Sequence, residues 1–420
     1  MSEINSKTVN NQRRKLLLGS LAAGAAGLLQ ACGGGGAMEA EASSQSTMLA
    51  GSTVVTPSSV PANQVRLADY GGVPGASSSA IISAFNQAFN QLKNLGGGTL
   101  LVGAGKYNLG NFSSAANAIS VSDLQNVLIS AYGAQLTMNT TAVTMPVFIH
   151  FQNPNNVTIA GMSFYDSGTD LSVNWRGAVC LSVNTTYARS GFKTVDCLAE
   201  NVVTFVRSYG EYTLTGMDIH GTVRNAYYGV NPNRNGRFSK CDVTCDRVRR
   251  GFLGYGARDW DITLSCTSVS GALGSNGFVD LIPDASSPSQ DCTIKLTVTG
   301  NSNPYGCLIH FYHQGTTSAA QHMRNVKAHV TLNNATGSAP VFLFDHEPPT
   351  GVVSSTIRTW EQMVLTGSIV GSYAGPMIRN PSISTGSTNS VSVASNIAAL
   401  QNMSALPKYF TVFTAGQCSA

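Results

Sequence analysis

The sequence is poor in charged residues and has only one long apolar run. Charged residues make up 11% of its 420 residues, whereas glycine, serine, threonine and asparagine are abundant. That composition is typical of short strands joined by polar turns and argues against a mainly helical protein. The uncharged apolar run, residues 16–29, is too short to span a bilayer. No second apolar run is long enough to cross a membrane, so no transmembrane helix is predicted.

Signals for several other kinds of protein are also missing. Few Asn-Gly turns separate the strand-like segments, although the regular hairpins of a β-sandwich or β-propeller would contain them. Cys241 and Cys245 are four positions apart, but no further ligands follow at the spacing that a zinc site needs. No cofactor is therefore predicted, and calcium dependence is left open.

The first 32 residues have the organisation of an export signal. Arg13, Arg14 and Lys15 precede the apolar run, and Cys32 follows it. The paired arginines resemble the twin-arginine signal of bacterial exporters, and Leu-Gln-Ala-Cys ending at Cys32 resembles the lipobox of bacterial lipoproteins. This resemblance implies a lipid anchor at Cys32 and a place in the bacterial cell envelope, on the periplasmic side or at the outer membrane. An ordinary signal peptide with a chance cysteine is the alternative.

Four segments follow from this organisation. Residues 1–32 are the signal, 33–62 a flexible Gly/Ser/Ala tether, 63–380 the folded body and 381–420 a C-terminal cap or tail. A short helix is expected over residues 391–403 of the tail. Most of the net charge of +4 lies within the signal. The charge of the exported part therefore says little about its partners.

Short alternating segments recur along the body of the chain. Two series of apolar positions repeat at intervals of about 20 to 36 residues, with no helical pattern between them. The first series is Met162, Cys197, Met217, Cys241, Cys266, Leu296 and Val330, and the second is Leu253, Val279, Leu308, Phe342 and Ile378. Such repeats predict a parallel β-solenoid, whose stacked coils share one core. The cysteines of the first series are expected in one inward column, as apolar filler.

The start of the folded body carries a family resemblance. The segment 65–72 ends in Asp-Tyr-Gly-Gly, and a helix with apolar residues at helical spacing follows over about 80–92. Next comes Gly-Gly-Gly-Thr at 96–99 and Ala-Gly-Lys-Tyr ending at Tyr107. This order resembles the opening of the pectate-lyase-like, rhamnogalacturonase/epimerase-like β-helix family. The resemblance implies an all-β, right-handed parallel β-helix (solenoid) with an N-terminal capping helix, and a groove that binds or cleaves long polysaccharides.

The segment 207–258 is the most basic part of the body. It is rich in arginine, and tyrosines are interleaved with the basic residues. Arginine binds carboxylates bidentately, and tyrosine rings stack on sugars, so the segment predicts a groove for an acidic polysaccharide. The candidate substrate-binding residues are Arg207, Arg224, Tyr228, Arg249 and Arg258. The alternative is a solvated surface on which the arginines pair with neighbours. Nucleic acid uses the same chemistry, but it is not an expected partner for an envelope protein.

Two kinds of bond cleavage fit the remaining polar residues. A lyase needs a base and cations that stabilise an enolate-like intermediate, and a hydrolase needs two carboxyl groups at a set separation. The candidate catalytic residues are Arg250, Tyr255, Asp280 and His310, with Asp246, Asp284 and Asp345 as further acids. Asp280 interrupts an apolar strand, which indicates either a groove residue or a structural partner.

The choice between these reactions depends on which known catalytic motifs the sequence lacks. The hydrolase motifs Asn-Thr-Asp, Gly-His-Gly and Arg-Ile-Lys do not occur, and neither does the acidic calcium cluster of pectate lyases. A polysaccharide lyase is therefore slightly preferred. A glycoside hydrolase of the same fold and a non-catalytic polysaccharide-binding lipoprotein are the alternatives.

Overall fold

A computed structural model describes residues 62–173, 175–210, 212–232, 236–269, 277–283, 288–302, 306–313, 321–346, 358–379, 389–398, 406 and 408–413. The export signal, Cys32 and nearly all of the tether lie outside these residues, so those expectations stay predictions. In the part of the chain that the structure describes, no helix is both long and apolar enough to cross a bilayer.

Strands dominate the described chain. The helices are a 3₁₀-helix at Leu67–Tyr70, α1 at Ser78–Asn94 and α2 at Ser395–Ala398. The first strands are β1 Gln64–Arg66, β2 Gly98–Leu101, β3 Gly105–Phe112, β4 Asn117–Ser122, β5 Gln125–Ser130, β6 Ala134–Thr140, β7 Val147–Gln152, β8 Asn155–Ala160, β9 Ser163–Asp166, β10 Val179–Thr185, β11 Arg189–Ser190, β12 Phe192–Gly210 and β13 Leu214–Thr215. The later strands are β14 Asp218–Pro232, β15 Gly236–Tyr255, β16 Arg258–Val269, β17 Gly277–Ile282, β18 Ser289–Ser302, β19 Cys307–His313, β20 Gln321–Thr336, β21 Phe342–His346, β22 Arg358–Glu361, β23 Met363–Val370, β24 Ile378–Arg379, β25 Val391–Ala394 and β26 Phe410–Phe413.

These strands pair in parallel and form three stacks. The first stack is β1, β2, β5, β8, β12, β14, β15, β16, β18, β20, β23, β25 and β26. The second stack is β3, β6, β9 and the middle of β12, and its register continues into β14, β15, β16, β18, β20 and β23. The third stack is β4, β7, β10, β12, β14, β15, β17, β19, β21 and β24. The long strands β12, β14 and β15 each turn a corner and contribute to more than one stack. This topology is the predicted parallel β-helix.

Asparagine and aspartate occupy many of the corners. Asn156, Asn201 and Asn225 all have φ near +50°, in the left-handed region that these residue types tolerate better than most others. The corner side chains also bond along the stack. Asn225 donates to Asn201 at 2.7 Å, and Asn156 donates to Asn126 at 2.9 Å. Each coil therefore turns at a position aligned with the corner of its neighbour.

Helix α1 covers the first coil, as the sequence predicts. Its N-cap is Ser77, whose hydroxyl accepts a 3.3 Å hydrogen bond from the backbone N–H of Ala80. One face of the helix is buried against the coils, which protects their open backbone edge. The glycine motif after it is required sterically, because a Cβ at Gly97 would lie 2.5 Å from the carbonyl oxygen of Asn126. These local reasons explain why the opening motifs indicate the fold.

The interior of the coils is apolar, but its columns differ in detail from those predicted. The third-stack column is Phe252, Val279, Ile309, Phe342 and Ile378. The predicted Leu253 and Leu308 were wrong by one residue, because an apolar run gives no alternation to fix which residue points inward.

The cysteines are buried as expected, but they do not share one column. Cys197 is in register with Gly221, Cys241 with Ile262, and Cys245 with Cys266. All the described cysteines are free and buried. A β-bulge between Thr194 and Cys197 shifts the register. Repeat spacing in the sequence does not reveal such a bulge.

The tail also differs from expectation. Of the residues expected in this helix, 391–394 form strand β25, which extends the first stack on β23, and Ser395–Ala398 form α2, whereas 399–403 lie outside the described residues. The alternating Val-Ser-Val of β25 buries its valines. At residues 391–394, a strand that continues the sheet is therefore preferred over a helix.

Candidate functional site

Arg250, Asp280 and His310 meet on the third stack. Asp280 of β17 is in register with His310 of β19, and Arg250 lies on β15, which pairs with β17. Oδ1 of Asp280 lies 3.1 Å from Nδ1 of His310 and accepts a 2.7 Å hydrogen bond from the backbone N–H of Gly277. Oδ2 of Asp280 lies 3.3 Å from Nη1 of Arg250. The fold therefore joins three of the four candidate catalytic residues.

These three side chains are almost completely buried. Asp280 exposes 1% of its side chain, His310 3% and Arg250 10%. A buried carboxylate is unfavourable unless it is paired and hydrogen-bonded, and Asp280 has both kinds of partner. Nε2 of His310 and Nε of Arg250 have no hydrogen-bond partner among the described residues. Both nitrogens are buried, so a further group can bond to them only if neighbouring groups move aside.

Tyr228 and Tyr255 surround Arg250. Tyr228 is in register with Arg250, and the guanidinium carbon lies 5.6 Å from its ring centroid. Burial raises the pKa of Tyr228 well above its ordinary value. The pKa of Tyr255 is also raised, mainly by burial. The charge of Arg250 lowers this pKa, and the charge of Asp280 raises it. Both phenols are therefore neutral hydrogen-bond donors at neutral pH.

The charge of Arg250 is held in place by its neighbours. Burial lowers the pKa of Arg250, but the carboxylate of Asp280 and the adjacent tyrosines outweigh this effect and raise it overall. Arg250 is therefore a permanent cation inside the site.

Trp175 extends the site with an aromatic surface that the sequence analysis missed. Its ring centroid lies 5.6 Å from that of Tyr227 and 5.8 Å from that of Tyr228, with the planes about 20° apart. The guanidinium carbon of Arg249 lies 5.0 Å from the ring centroid of Tyr227. Trp175, Tyr227 and Tyr228 form what we call the aromatic cluster. Trp175 is 39% exposed, whereas both tyrosines are buried, so Trp175 presents the cluster to solvent.

The segment that carries Trp175 is fixed by Asp166. The carboxylate of Asp166 is buried and accepts five hydrogen bonds of 2.7 to 2.9 Å. The donors are the N–H groups of Thr140, Gly168 and Ala178 and the hydroxyls of Thr140 and Thr169. Arg249 also donates to the carbonyl of Leu171. Trp175 itself has φ +65°, an unfavourable conformation for a bulky residue that persists only where its surroundings impose it.

Arg207 lies further along the same stack, in the column that contains His150 and Ser182. Its guanidinium carbon is 5.2 Å from the ring centroid of Tyr209. Neither His150 nor Ser182 stands out in the sequence. Only the register brings them next to an arginine that comes later in the chain.

Arg224 and Arg258 are not brought to the site. Arg224 of β14 is in register with Glu200 on one neighbouring strand and with Asp246 on the other. It therefore lies on the continuation of the second stack. Arg258 begins β16 and is in register with Arg237 and Gln290 on the first stack. Of the five expected substrate-binding residues, the structure therefore brings Arg207, Tyr228 and Arg249 onto the third stack and leaves Arg224 and Arg258 elsewhere. Asp284 lies outside the described residues.

The first stack has a separate cleft of about 310 Å³. It is lined by His220, Lys240, Asp242, Asp261 and Lys295, among others. Its charges alternate along the stack, since Asp218 is in register with Lys240, which is in register with Asp261. Opposite charges that compensate one another in this way leave little net charge for a ligand.

Within the described ranges, no group of three or more His, Cys, Asp or Glu side chains is placed to hold a metal ion.

Comparison with known proteins gives neither a family nor a close relative. No family model matches the chain, and no curated protein matches its sequence. Among solved structures, the chain is similar to the A-module of mannuronan C-5 epimerase AlgE6 from Azotobacter vinelandii, with 9% identity and a TM-score of 0.39 over 83% of this chain and 99% of that one. An exopolygalacturonase from Thermotoga maritima has 12% identity and a TM-score of 0.34 over 80% and 87%. Tailspike protein 3 of bacteriophage CBA120 has 11% identity and a TM-score of 0.32 over 84% and 60%. Function has to be argued from the site.

Proposed function

We propose that this protein binds an acidic polysaccharide along the third stack and cleaves it. The supporting observation is the excess of buried or half-buried guanidinium groups beside aromatic rings. Arg207, Arg249 and Arg250 each lie over a tyrosine, and Asp280 is the carboxylate paired with one of them. Arginine is the side chain best suited to carboxylates, and aromatic faces pack against the apolar faces of sugar rings. Together they suit a sugar chain that carries carboxylates.

The favoured reaction is β-elimination at a uronic acid. His310 would act as the base, since a hydrogen bond from Nδ1–H to Asp280 leaves the lone pair on Nε2. Nε2 takes the proton from the carbon next to the sugar carboxyl, and the electron pair of that C–H bond forms the new C=C bond. The bond to the glycosidic oxygen breaks, and that oxygen receives a proton. The products are an unsaturated uronate and a new hydroxyl end.

The other candidate residues have roles in the same step. Arg250 would stabilise the negative charge that develops on the sugar carboxylate. Tyr255, a neutral donor whose pKa is raised by burial, would protonate the departing oxygen. Asp280 orients His310 and Arg250 and is a positioning residue.

A glycoside hydrolase is the second candidate. It requires one carboxyl group as acid and another as base or nucleophile. Asp280 already accepts a hydrogen bond from the backbone N–H of Gly277 and lies against His310 and Arg250, so it is poorly suited to donate a proton. For this reason the lyase is preferred.

A binding protein without catalysis is the third candidate. Its supporting observation is the burial of His310, which exposes only 3% of its side chain. A polymer reaches Nε2 only if neighbouring groups move aside. Trp175, the exposed member of the aromatic cluster, needs no such movement to contact a sugar.

The setting of this activity follows from the expected export signal. We propose that a lipid at Cys32 tethers the β-helix to the bacterial envelope, where acidic polysaccharides are available. Radiolabelled fatty acid incorporated into the protein, but not into its Cys32→Ala variant, would support this anchor.

The test of function is to incubate the purified full-length protein with a panel of acidic polysaccharides. An ultraviolet absorbance from unsaturated uronates indicates the lyase, and new reducing ends without that absorbance indicate the hydrolase. Binding with neither product indicates the binding protein. His310→Ala should reduce lyase activity by about 10²- to 10⁴-fold. The control is His329→Ala, at an exposed histidine of the first stack, and activity that survives in His310→Ala would exclude His310 as the base.

A further inference from the structure

A second polar cluster lies on the third stack, apart from Asp280. His150 of β7, Ser182 of β10 and Arg207 of β12 are in register on consecutive coils. Tyr209 completes the group. Its ring centroid is 6.2 Å from that of His150, with planes 26° apart, and 5.2 Å from the guanidinium carbon of Arg207. We call these four residues the Arg207 cluster.

The Arg207 cluster contains several buried polar atoms without partners. Nδ1 of His150, Oγ of Ser182, and both Nε and Nη1 of Arg207 have no hydrogen-bond partner in the described part of the chain. Burial lowers the pKa of Arg207, and the nearby Tyr209 opposes this only in part. Such a shift is what a guanidinium undergoes when it leaves water without gaining a matching anion.

This arrangement is unfavourable in the free protein. Arg207 is half-buried, but its Nε and Nη1 atoms are shielded from water without an opposite charge beside them, and buried polar atoms in native proteins nearly always have partners. Arginine N–H groups, the serine hydroxyl and one imidazole N–H are all hydrogen-bond donors. A bound anion would accept from these donors and compensate the charge at the same time. A neutral acceptor would leave the charge uncompensated.

We propose that the Arg207 cluster is an anion subsite that takes the carboxylate of a uronic acid residue. The identity of this ligand rests on the function proposed above. His150, Ser182 and Tyr209 thereby become binding residues in addition to Arg207. The cluster is a place for binding only, since the candidate base and its partners lie on later coils.

The subsite is distant from the proposed point of cleavage. Thr204 of β12 is in register with Tyr228 of β14, and Tyr228 is in register with Arg250 of β15. Arg207 is therefore two strands away from Arg250 along the axis of the β-helix, a distance of about 10 Å. It is also three residues away along the strand direction, which is a further distance of about 10 Å at right angles to the first. The resulting separation of about 14 Å exceeds one sugar ring, from these strand spacings. The two arginines would therefore hold different sugars of one chain.

The test uses Arg207→Met in the full-length protein, with Arg247→Met as the matched control. Arg247 is 60% exposed and lies 3.5 Å from Asp246. Affinity is measured by calorimetry for uronic acid oligosaccharides and for the same oligosaccharides with their carboxyls reduced to alcohols. Arg207→Met should weaken binding of the charged oligosaccharide about 30-fold or more and leave binding of the reduced one unchanged. Arg247→Met should bind both like the unaltered protein.

Thermal unfolding of the ligand-free variants supplies the second measurement. Because a guanidinium with two buried, unpaired nitrogens opposes folding, Arg207→Met should unfold at the same temperature as the unaltered protein or at a higher one. A lower unfolding temperature would show that Arg207 pairs within the folded chain and would overturn the proposal. Equal affinity of Arg207→Met for the charged oligosaccharide would also overturn it. If the unaltered protein bound no acidic oligosaccharide, the proposed function itself would fail, and the subsite with it.

Discussion

Oδ1 of Asp280 lies 3.1 Å from Nδ1 of His310, and the two residues occupy the same position on adjacent coils of the β-helix. The sequence separates them by 30 residues, which is the length of one coil here. Stacking therefore converts a sequence repeat into a contact. The opposite side of the Asp280 carboxylate faces Arg250, so one buried carboxylate orders both a candidate base and a cation.

Replacement of Asp280 should separate its structural and functional roles. Asp280→Ala leaves Arg250 buried without its anion, and we expect the free energy of unfolding to fall by about 3–5 kcal/mol, measured by urea denaturation. The double variant Arg250→Met/Asp280→Leu should recover most of this loss, because an apolar pair replaces a buried ion pair at little cost. Cleavage should be lost in both. If Asp280→Ala were as stable as the unaltered protein, the result would contradict the pairing of Asp280 with Arg250.

Trp175 should report on ligand binding by fluorescence. The other two tryptophans, Trp260 and Trp360, are fully buried, so a polysaccharide on the aromatic cluster would change the emission of Trp175. We expect Trp175→Ala to remove that change and to weaken binding about tenfold, in line with the loss of one aromatic contact. The control is Phe238→Ala, since Phe238 is 67% exposed on β15. An equal loss of binding affinity in Trp175→Ala and Phe238→Ala would rule out a specific role for Trp175.

His150 should make folding stability depend on pH. Burial, with help from Arg207, lowers the pKa of His150 below its ordinary value of 6.5. The unfolded chain therefore binds a proton on His150 at a pH where the folded protein does not. Stability should fall as the pH drops below about 6.5, and above this value His150 should contribute no slope.

The measurement is the free energy of unfolding of His150→Gln between about pH 7.5 and pH 5.5. The variant should lose less stability than the unaltered protein as the pH is lowered. His329→Gln, which changes an exposed histidine, serves as the control and should retain the original slope. If the free energy of unfolding changed with pH in the same way for His150→Gln and for the unaltered protein, His150 would not be the source of the pH dependence.

The described cysteines should be inert in the folded protein. All seven, Cys180, Cys197, Cys241, Cys245, Cys266, Cys292 and Cys307, are free and buried. Burial raises the pKa of Cys197 and Cys292 to about 12, so almost no thiolate is present at neutral pH. Iodoacetamide followed by peptide mass spectrometry should find these seven unmodified under native conditions and alkylated in denaturant. Native alkylation at any of them would contradict the packing described.

The sequence by itself determined the β-helix and its capping helix. Repeated apolar segments cannot bury their faces singly and so must stack, and the glycines before Thr99 fit where a Cβ would collide with Asn126. The sequence also identified three candidates: Arg250 from the arginine-rich segment, Asp280 because it interrupts an apolar strand, and His310 because it lies at a nearby position one coil on. Their approximate alignment followed from the repeat length.

Only the tertiary structure decided which residues share a column. A bulge near Cys197 and the ambiguous alternation around Leu253 shift the register by single residues, and a one-residue shift exchanges the two faces of a strand. For the same reason the basic residues of one segment divide among different stacks, with Arg224 and Arg258 leaving the site. Trp175 joins the site only because Asp166 bonds to both ends of its segment, and His150 meets Arg207 only through stacking. Such contacts depend on which residues neighbouring coils bring into register, and that register is set by packing between the coils.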